Sequence, residues 1–311
     1  PSALGGSKGS MLLQQLIHGL TLGAVYALIA LGYTMVYGIL GLINFAHGEI
    51  YMIGAYLGII FLGVLTSLGF TSQHFILSLL LVSLGTAIFC GAYGFTLERV
   101  AYRPLRHAHR LAPLISAIGV SIFLQNYVML TQGSADKVFP HLLPAGGIVL
   151  GGMVTLSSIQ VQILSTSVVL MVALHLFVAR TRLGKAMRAT AQDGRMASLV
   201  GININGVIST TFIIGSVLAA AAGVMVAMYY GVVNFTIGYV AGIKAFTAAV
   251  LGGIGNIPGA MLGGFVLGLV ESLGSSYISS EYKDLYSFLI LILVLIFRPT
   301  GLLGERVPEK G

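Results

Sequence analysis

Long apolar segments separated by short polar stretches dominate this chain of 311 residues. Several of them reach the ~20 residues that an α-helix needs to cross the ~30 Å hydrocarbon core of a membrane. The pattern predicts an all-α polytopic membrane protein with about 8–10 transmembrane helices, some of them interrupted or re-entrant. The predicted segments lie at about residues 12–33, 49–68, 74–97, 111–131, 159–179, 203–229, 236–252, 259–278 and 284–298.

The two ends of the chain differ from the spans between them. Residues 1–10, PSALGGSKGS, are similar to an appended linker ahead of a start at Met11, so we exclude them from the predicted fold. Residues 11–304 are predicted to form a single transmembrane domain, and residues 305–311 a cytoplasmic tail. No cleavable signal peptide is expected, because the first apolar stretch is too long and lacks a basic start.

Charge distribution predicts the topology. Only 8% of the residues are charged, and the net charge of +7 does not indicate nucleic acid, because the basic residues cluster in short loops instead of lining a soluble face. By the positive-inside rule these loops and the C-terminus are cytoplasmic, while the N-terminus comes out external. The basic residues are Arg99, Arg103, Arg106 and Arg110 in one loop, Arg180, Arg182, Lys185, Arg188 and Arg195 in the other, and Arg298, Arg306 and Lys310 near the C-terminus.

The stretch from residue 38 to residue 56, GILGLINFAHGEIYMIGAY, places Asn44, His47 and Glu49 between apolar segments. Polar side chains at membrane depth are tolerated mainly where they face a bundle interior or a water-filled cavity, so we interpret the stretch as a helix broken at a functional site. The alternative is a short surface loop, in which Asn44 caps a helix and the other two side chains are solvated.

Two similar stretches, one in each half of the chain, predict an internal duplication. Tyr37-Gly38 followed by Asn44-Phe45 in the first half is similar to Tyr230-Gly231 followed by Asn234-Phe235 in the second, although the spacing differs by three residues. The spans before the two breaks are predicted to cross in opposite directions, as in an inverted-topology repeat with the site at the repeat interface. The alternative is two independent helix breaks in a glycine-rich chain.

The sequence contains none of the common catalytic or nucleotide-binding motifs that we considered. Gly184-Lys185 is followed by Ala186, so there is no nucleotide-binding P-loop, and there is no H-E-x-x-H or G-x-S-x-G motif and no cysteine cluster. A membrane enzyme has only His47 and Glu49 as a conceivable acid/base pair, and two positions apart they do not share a helix face. Lys244 lies within an apolar span, where an unpaired ammonium is costly, so we expect an acidic or carbonyl partner or a water-filled cavity.

The stretch from residue 180 to residue 203 is too polar to cross a membrane and is patterned as a helix. We expect its central part, residues 184–201, to form a cytoplasmic helix that docks on a partner. The alternative is a solvated linker anchored to lipid headgroups by its arginines.

The sequences LGYTMVYGILGLINFAHGEIYMIGAY, ERVAYRPLR, LISAIGVSIFLQN, GKAMRATAQDGRMASLVGIN and KAFTAAVLGGIGNIPGAMLGG resemble the LivH-type permease subunit of bacterial high-affinity branched-chain amino acid ABC transporters. The resemblance covers nearly everything from Met11 to Gly304. It implies a non-catalytic transport subunit of the bacterial inner membrane that carries leucine, isoleucine or valine. It also implies four kinds of partner: a second, LivM-like permease, LivG/LivF-like cytoplasmic ATPases that hold ATP and Mg²⁺, a periplasmic binding protein and the lipid bilayer.

The resemblance also implies roles for individual residues. Family members that carry urea and short amides are similar around the INFAHGE stretch, so the sequence leaves the substrate open. A self-sufficient ion-coupled transporter that uses Glu49, Lys244 and Glu271 remains the alternative from another class of protein. We expect the translocation path to lie near Asn44, His47, Glu49, Asn234 and Lys244. The expected ATPase-coupling residues are Gly184, Arg188, Ala191, Asp193, Ala197 and Gly201, although the usual Glu-Ala-Ala start is only loosely present as Ala189-Thr190-Ala191.

Overall fold

A computed structural model describes residues 2–106, 108–109, 111–140, 146–150 and 154–304. This part of the chain is almost entirely helical, with four short strands at the connections. The helices are α1 (Ser2–Leu40), α2 (His47–Ser67), α3 (Phe70–Gln73), α4 (Phe75–Leu97), α5 (Leu111–Gln132), α6 (Ser158–Arg180), α7 (Arg182–Gln192), α8 (Gly194–Leu199), α9 (Ile204–Tyr230), α10 (Ile237–Gly252), α11 (Ile257–Tyr277) and α12 (Lys283–Phe297). The strands are β1 (Lys137–Val138), β2 (Gly147–Leu150), β3 (Val154–Ser157) and β4 (Val232–Val233).

Each predicted apolar segment corresponds to one helix, which confirms the all-α polytopic fold. Within the described residues, seven helices are long and apolar enough to cross a membrane, namely α1, α2, α4, α5, α6, α9 and α11. Helices α10 and α12 are shorter, with 16 and 15 residues. The first helix begins at Ser2, so the residues that we set aside as a linker continue α1, whereas the predicted tail 305–311 lies outside the described residues.

Helices α1 and α9 run antiparallel, as the inverted repeat requires. The His18 ring bonds the Tyr229 hydroxyl at 2.8 Å near one end of the pair. Further along, Gly32 of α1 lies against Gly215 of α9. The start of α1 therefore lies beside the end of α9. The two halves of the chain thus begin on opposite sides of the bundle.

The first helix of each half packs against a helix of the other half. Helix α1 packs most extensively on α11, and α9 packs on α4 about as extensively as on α2. The α1–α11 and α4–α9 contacts are antiparallel: Gly19 and Gly23 lie against the backbone of Leu269 and Phe265, and Gly94 lies against Ser216 while Ser209 bonds Glu98, which follows α4. When the four-residue α3 is left out, α1 and α9 each pack against the third helix of the opposite repeat, α11 and α4 respectively, as expected of two inverted copies that pack into each other.

Small residues allow this close packing. Gly54 and Gly58 of α2 contact Ala220 and Val224 of α9, at the small-xxx-small spacing that lets helix backbones approach. In α11, Gly263 and Gly264 meet Ala248 and Ala27 in the same way. These glycines therefore serve as packing residues between helices.

The connections at the end opposite to the basic residues include two antiparallel pairs of strands. Strand β1 pairs with β4, which joins the long loop after α5 to the break that follows α9. Strands β2 and β3 form a hairpin, and Gln14 of α1 bonds the backbone of Thr155 in β3 through both amide atoms, at 3.1 and 3.2 Å. These contacts tie the start of α1 to the connection ahead of α6.

The polar stretch between α6 and α9 is helical, but it forms two helices instead of the single helix predicted for residues 184–201. Helix α7 ends where Asp193 adopts an extended conformation, with φ of −154°. The Asp193 carboxylate then accepts hydrogen bonds from the Arg195 and Met196 amides, at 2.9 and 3.0 Å, and caps α8. The prediction of one continuous helix was therefore wrong, because Asp competes for backbone amides and favours a cap over a helix interior.

Candidate functional site

The first break lies between α1 and α2. Helix α1 ends at Leu40, and Gly41 follows with a φ of +63°, a conformation that favours glycine. Asn44 is buried, and its side-chain oxygen accepts hydrogen bonds from the Ala46 amide at 3.2 Å and the Tyr102 hydroxyl at 3.0 Å. The turn therefore holds the start of α2 and ties it to the π-helical turn that follows α4.

The second break, after α9, repeats this local structure. Gly231 has a φ of +70°, and the side-chain oxygen of Asn234 accepts hydrogen bonds from the Thr236 amide at 3.1 Å and the Thr236 hydroxyl at 2.8 Å. In both breaks, the asparagine side chain thus accepts a hydrogen bond from the backbone amide two residues later, just ahead of the next helix. The two similar stretches of sequence therefore form the same local structure, although Asn234 is only half-buried whereas Asn44 is buried.

Helices α2 and α10 meet at their first turns. A Cβ atom on Gly48 would collide with the carbonyl oxygen of Gly238 and would lie 2.8 Å from the Cα of Gly242. Two helix starts in contact concentrate backbone N–H groups that have no partner within their own helices. The inverted halves thus bring two interrupted helices together in the interior of the bundle, as in transporters that expose backbone groups to substrate.

His47 lies at the crossing of α1 and α9. Its ring fills the space above Gly32, where a Cβ atom would overlap the ring, and it also contacts Gly215. The Tyr33 ring packs edge-on against it, with the ring centroids 4.9 Å apart. His47 is 2% exposed, and its Nε2 has no hydrogen-bond partner within the described residues, so the surface-loop alternative is wrong for this residue.

Glu49 links three helices next to His47. The Ser121 hydroxyl of α5 donates a hydrogen bond to Oε1 of Glu49 at 3.0 Å. The other oxygen, Oε2, lies against Gly238 at the start of α10 and has no hydrogen-bond partner in the described part of the chain. Glu49 is 1% exposed, so it is not a solvated surface residue. Ser121 gave no recognisable signal in the sequence, since it is one of several serines in an apolar span.

Lys244 has the acidic partners that we predicted. Its ammonium lies 2.7 Å from the Glu271 carboxylate of α11 and 2.7 Å from the Asp284 carboxylate of α12. The Tyr26 hydroxyl of α1 donates a hydrogen bond to the other oxygen of Glu271 at 2.9 Å. This cluster joins four helices, and it pairs a buried cation in the way that an apolar interior requires.

A second buried ionic cluster was not predicted. Glu98 is fully buried at the start of the π-helical turn, where Arg106 forms an ion pair with it and the Ser209 hydroxyl donates a hydrogen bond of 2.6 Å. Arg106 also donates a 2.6 Å hydrogen bond to Asn205 at the start of α9. The charge pattern placed Arg106 in a basic loop, but spacing along the chain gave no indication that α9 would supply Asn205 to Arg106 and Ser209 to Glu98.

The predicted path residues therefore fall into separate groups. Asn44, His47 and Glu49 lie together where α2 meets α10, while Asn234 lies at the second break. Lys244 follows Gly238 by six positions, which is ~9 Å along α10, and faces a different set of side chains. No cluster of metal-ligating side chains is found among the described residues.

The predicted coupling residues divide between the surface and the interior. Gly184 is buried, because it packs against the Phe177 and Val178 carbonyls at the end of α6, and Ala197 is buried with 3% exposure. The remaining four, Arg188, Ala191, Asp193 and Gly201, are exposed. The exposed apolar side chains of this region are instead Met196, Leu199 and Val200, with 62, 80 and 77% exposure.

The fold and its centre define a class of protein: a multi-pass helical permease built from an inverted repeat with two interrupted helices. A sequence profile of the family described as "Branched-chain amino acid transport system / permease component" matches residues 15–295. The chain belongs to this family.

Individual relatives extend over nearly the whole chain. The high-affinity branched-chain amino acid transport system permease protein BraD of Pseudomonas aeruginosa is 55% identical over 302 residues, which cover 96% of this chain and 97% of BraD. The corresponding permease protein LivH of Salmonella typhimurium is 52% identical over 301 residues, with the same coverage of 96% and 97%. A probable LivH of Methanocaldococcus jannaschii is 26% identical over 294 residues, covering 89% and 88%. No solved structure matches the chain.

Proposed function

We propose that this chain is the membrane-embedded subunit of an ABC importer that carries branched-chain amino acids across the bacterial inner membrane. The observation that carries the proposal is identity above 50% with BraD and LivH proteins along almost the full length of both chains. The matched region covers 96% of this chain. The subunit has no catalytic role of its own.

The substrate passes near the interrupted helices. A branched-chain amino acid has a carboxylate, an ammonium and an aliphatic side chain, so its path needs apolar walls with a few backbone or amide groups. The starts of α2 and α10 supply such backbone groups, and the aliphatic residues around both breaks supply the walls. The path lies at the interface with a second, LivM-like permease, near Asn44, His47, Glu49, Asn234 and Lys244.

ATP hydrolysis takes place in partner subunits. Two LivG/LivF-like ATPases hold ATP and Mg²⁺, and a periplasmic protein delivers the amino acid. The face that carries the basic residues, together with the C-terminus, is cytoplasmic, as the positive-inside rule favours. The ATPase docks on α7 and α8, where Met196, Leu199 and Val200 form an exposed apolar patch beside Arg188, Ala191, Asp193 and Gly201. Gly184 and Ala197 position these helices from the inside.

Competition for uptake tests the substrate. The chain is expressed with its partner subunits in a strain that lacks its own high-affinity leucine uptake, and entry of labelled leucine is measured at micromolar concentration. Unlabelled isoleucine and valine should compete, whereas urea and acetamide should not. Competition by urea or acetamide, with none by isoleucine, contradicts the assignment and favours the short-amide alternative.

An aspartate scan of the exposed patch tests the docking surface. Leu199→Asp combined with Val200→Asp places two charges in the proposed apolar contact and should abolish leucine uptake while the assembled complex keeps basal ATPase activity. Ala197 is a poorer position for such a probe, because it is buried and a bulky side chain there would disturb α8 itself. Lys283→Gln, an exposed change outside α7 and α8, is the control. Normal uptake and normal stimulation of the ATPase by the binding protein in the double variant would refute docking at this patch.

A further inference from the structure

An apolar groove runs along the outer surface of the bundle between α4 and α9. Its volume is about 450 Å³, and its lining includes Ile88, Gly91 and Phe95 of α4 and Ile213 and Val217 of α9. All residues that line the groove are apolar. Gly91 leaves the floor open, since a Cβ atom there would come no closer than 3.4 Å to Ile213.

The groove ends next to a cation. The Arg99 guanidinium lies 5.7 Å from the centroid of the Phe95 ring, so the arginine stands over the groove wall nearest to the basic face. Arg99 is exposed, and no ion pair of Arg99 is found within the described residues, whereas neighbouring Arg106 is paired with Glu98. Arg99 therefore keeps its charge available at the mouth of the groove.

The dimensions match one leaflet of a bilayer. The groove lining on α4 extends from Ala87 to Phe95, which is ~12 Å along a helix. Half of a ~30 Å hydrocarbon core is ~15 Å. Arg99 lies one helical turn beyond Phe95, at the level where a phosphate group sits when an acyl chain fills such a groove.

We propose that this groove binds one anionic phospholipid, with an acyl chain between α4 and α9 and the phosphate at Arg99. The charge at one end and the wholly apolar lining favour a lipid over a second protein helix, which needs no cation there. The site has a structural consequence, because Glu98, in the π-helical turn directly after α4, bonds Ser209 of α9 just beyond the groove. A lipid bound here stabilises the contact between α4 and α9.

Native mass spectrometry of the full chain tests the proposal. The probes are palmitoyl-oleoyl phosphatidylglycerol and phosphatidylcholine with the same acyl chains, titrated into the detergent-solubilised protein. One phosphatidylglycerol should be retained in preference to phosphatidylcholine. Arg99→Gln should weaken its binding about five-fold, the effect of losing one basic residue at an anionic headgroup. Arg180→Gln, an exposed arginine of the other basic cluster, should leave the binding unchanged.

Filling the groove provides the second arm. Gly91→Phe should abolish retention of the preferred lipid, whereas Gly91→Ala, which makes only ordinary contacts, should bind as the unaltered protein does. Equal retention of the two lipids, or unchanged binding by Arg99→Gln, would overturn the proposal. Loss of the bound phosphatidylglycerol on assembly with the partner permease would also overturn it, since a protein helix would then be the true occupant.

Discussion

The ion-paired cluster around Lys244 predicts a large loss of stability from a single substitution. Lys244→Met removes the cation that lies 2.7 Å from both Glu271 and Asp284. Removing one partner of a buried ion pair costs ~3–5 kcal/mol, because the remaining charge stays buried without compensation. Glu271 carries this penalty, since its side chain is only 5% exposed, and the Tyr26 hydroxyl is the hydrogen-bond donor left to it.

Comparison of related variants separates this penalty from a general packing defect. The Asp284 side chain is 48% exposed, so Asp284→Asn should cost no more than the ~0–1 kcal/mol of a surface pair. Lys244→Met combined with Glu271→Gln should recover much of the stability lost in Lys244→Met alone. The charge on the 5%-exposed Glu271 side chain is then gone, the remaining Asp284 carboxylate belongs to a side chain that is 48% exposed, and the glutamine still accepts from Tyr26. Lys185→Met, at an exposed lysine of α7, is the control.

The assay is the free energy of unfolding in mixed detergent micelles titrated with sodium dodecyl sulfate. Lys244→Met should lower this free energy by ~3 kcal/mol or more, and expression should fall with it. A change of less than about 0.5 kcal/mol, the range of ordinary surface substitutions, would refute the reasoning. So would a double variant that is less stable than Lys244→Met. A stable Lys244→Met protein that has lost uptake would also refute the stability argument, because Lys244 would then act in the translocation path without holding the fold together.

Three further substitutions probe the centre of the bundle. Gly48→Ala should prevent folding, because its methyl group collides with the backbone of α10, whereas Gly63→Ala in the same helix meets open space and should leave the yield of folded protein unchanged. Gly32→Ala should destabilise the protein by displacing the His47 ring, and adding His47→Ala should restore part of the loss in the unfolding titration. Glu98→Gln should lower thermal stability more than any exposed change nearby, because Arg106, whose side chain is only 13% exposed, loses the carboxylate that pairs with it.

Hydropathy alone predicted the helices well. Each of the apolar segments became one helix, and the duplicated Asn-Phe pair correctly marked two equivalent breaks. These features depend on local composition and on turn chemistry, which are written in consecutive residues. The partner of Lys244 could be predicted as a class, because an ammonium in an apolar interior requires an acid or a cavity.

Contacts between distant segments could not be predicted in the same way. The Ser121 bond to Glu49 and the Ser209 bond to Glu98 each join residues far apart in the chain. Because the apolar spans contain many serines and threonines, nothing in the sequence singles out these two as partners of a glutamate. Ala197 was expected among the residues that couple to the ATPase, yet it is only 3% exposed. The hinge at Asp193 turns α8 so that this alanine faces its own chain while Leu199 faces outward.

The central claim is that the chain transports branched-chain amino acids only as one subunit of an ATP-driven assembly. Reconstitution into liposomes tests it directly, by measuring entry of labelled leucine with the partner permease, both ATPases and the binding protein present, and again with this chain or ATP left out. We predict uptake that requires ATP, the binding protein and this chain together. Leucine uptake by this chain alone, driven by an ion gradient in the absence of ATP, would contradict the account and identify a self-sufficient transporter.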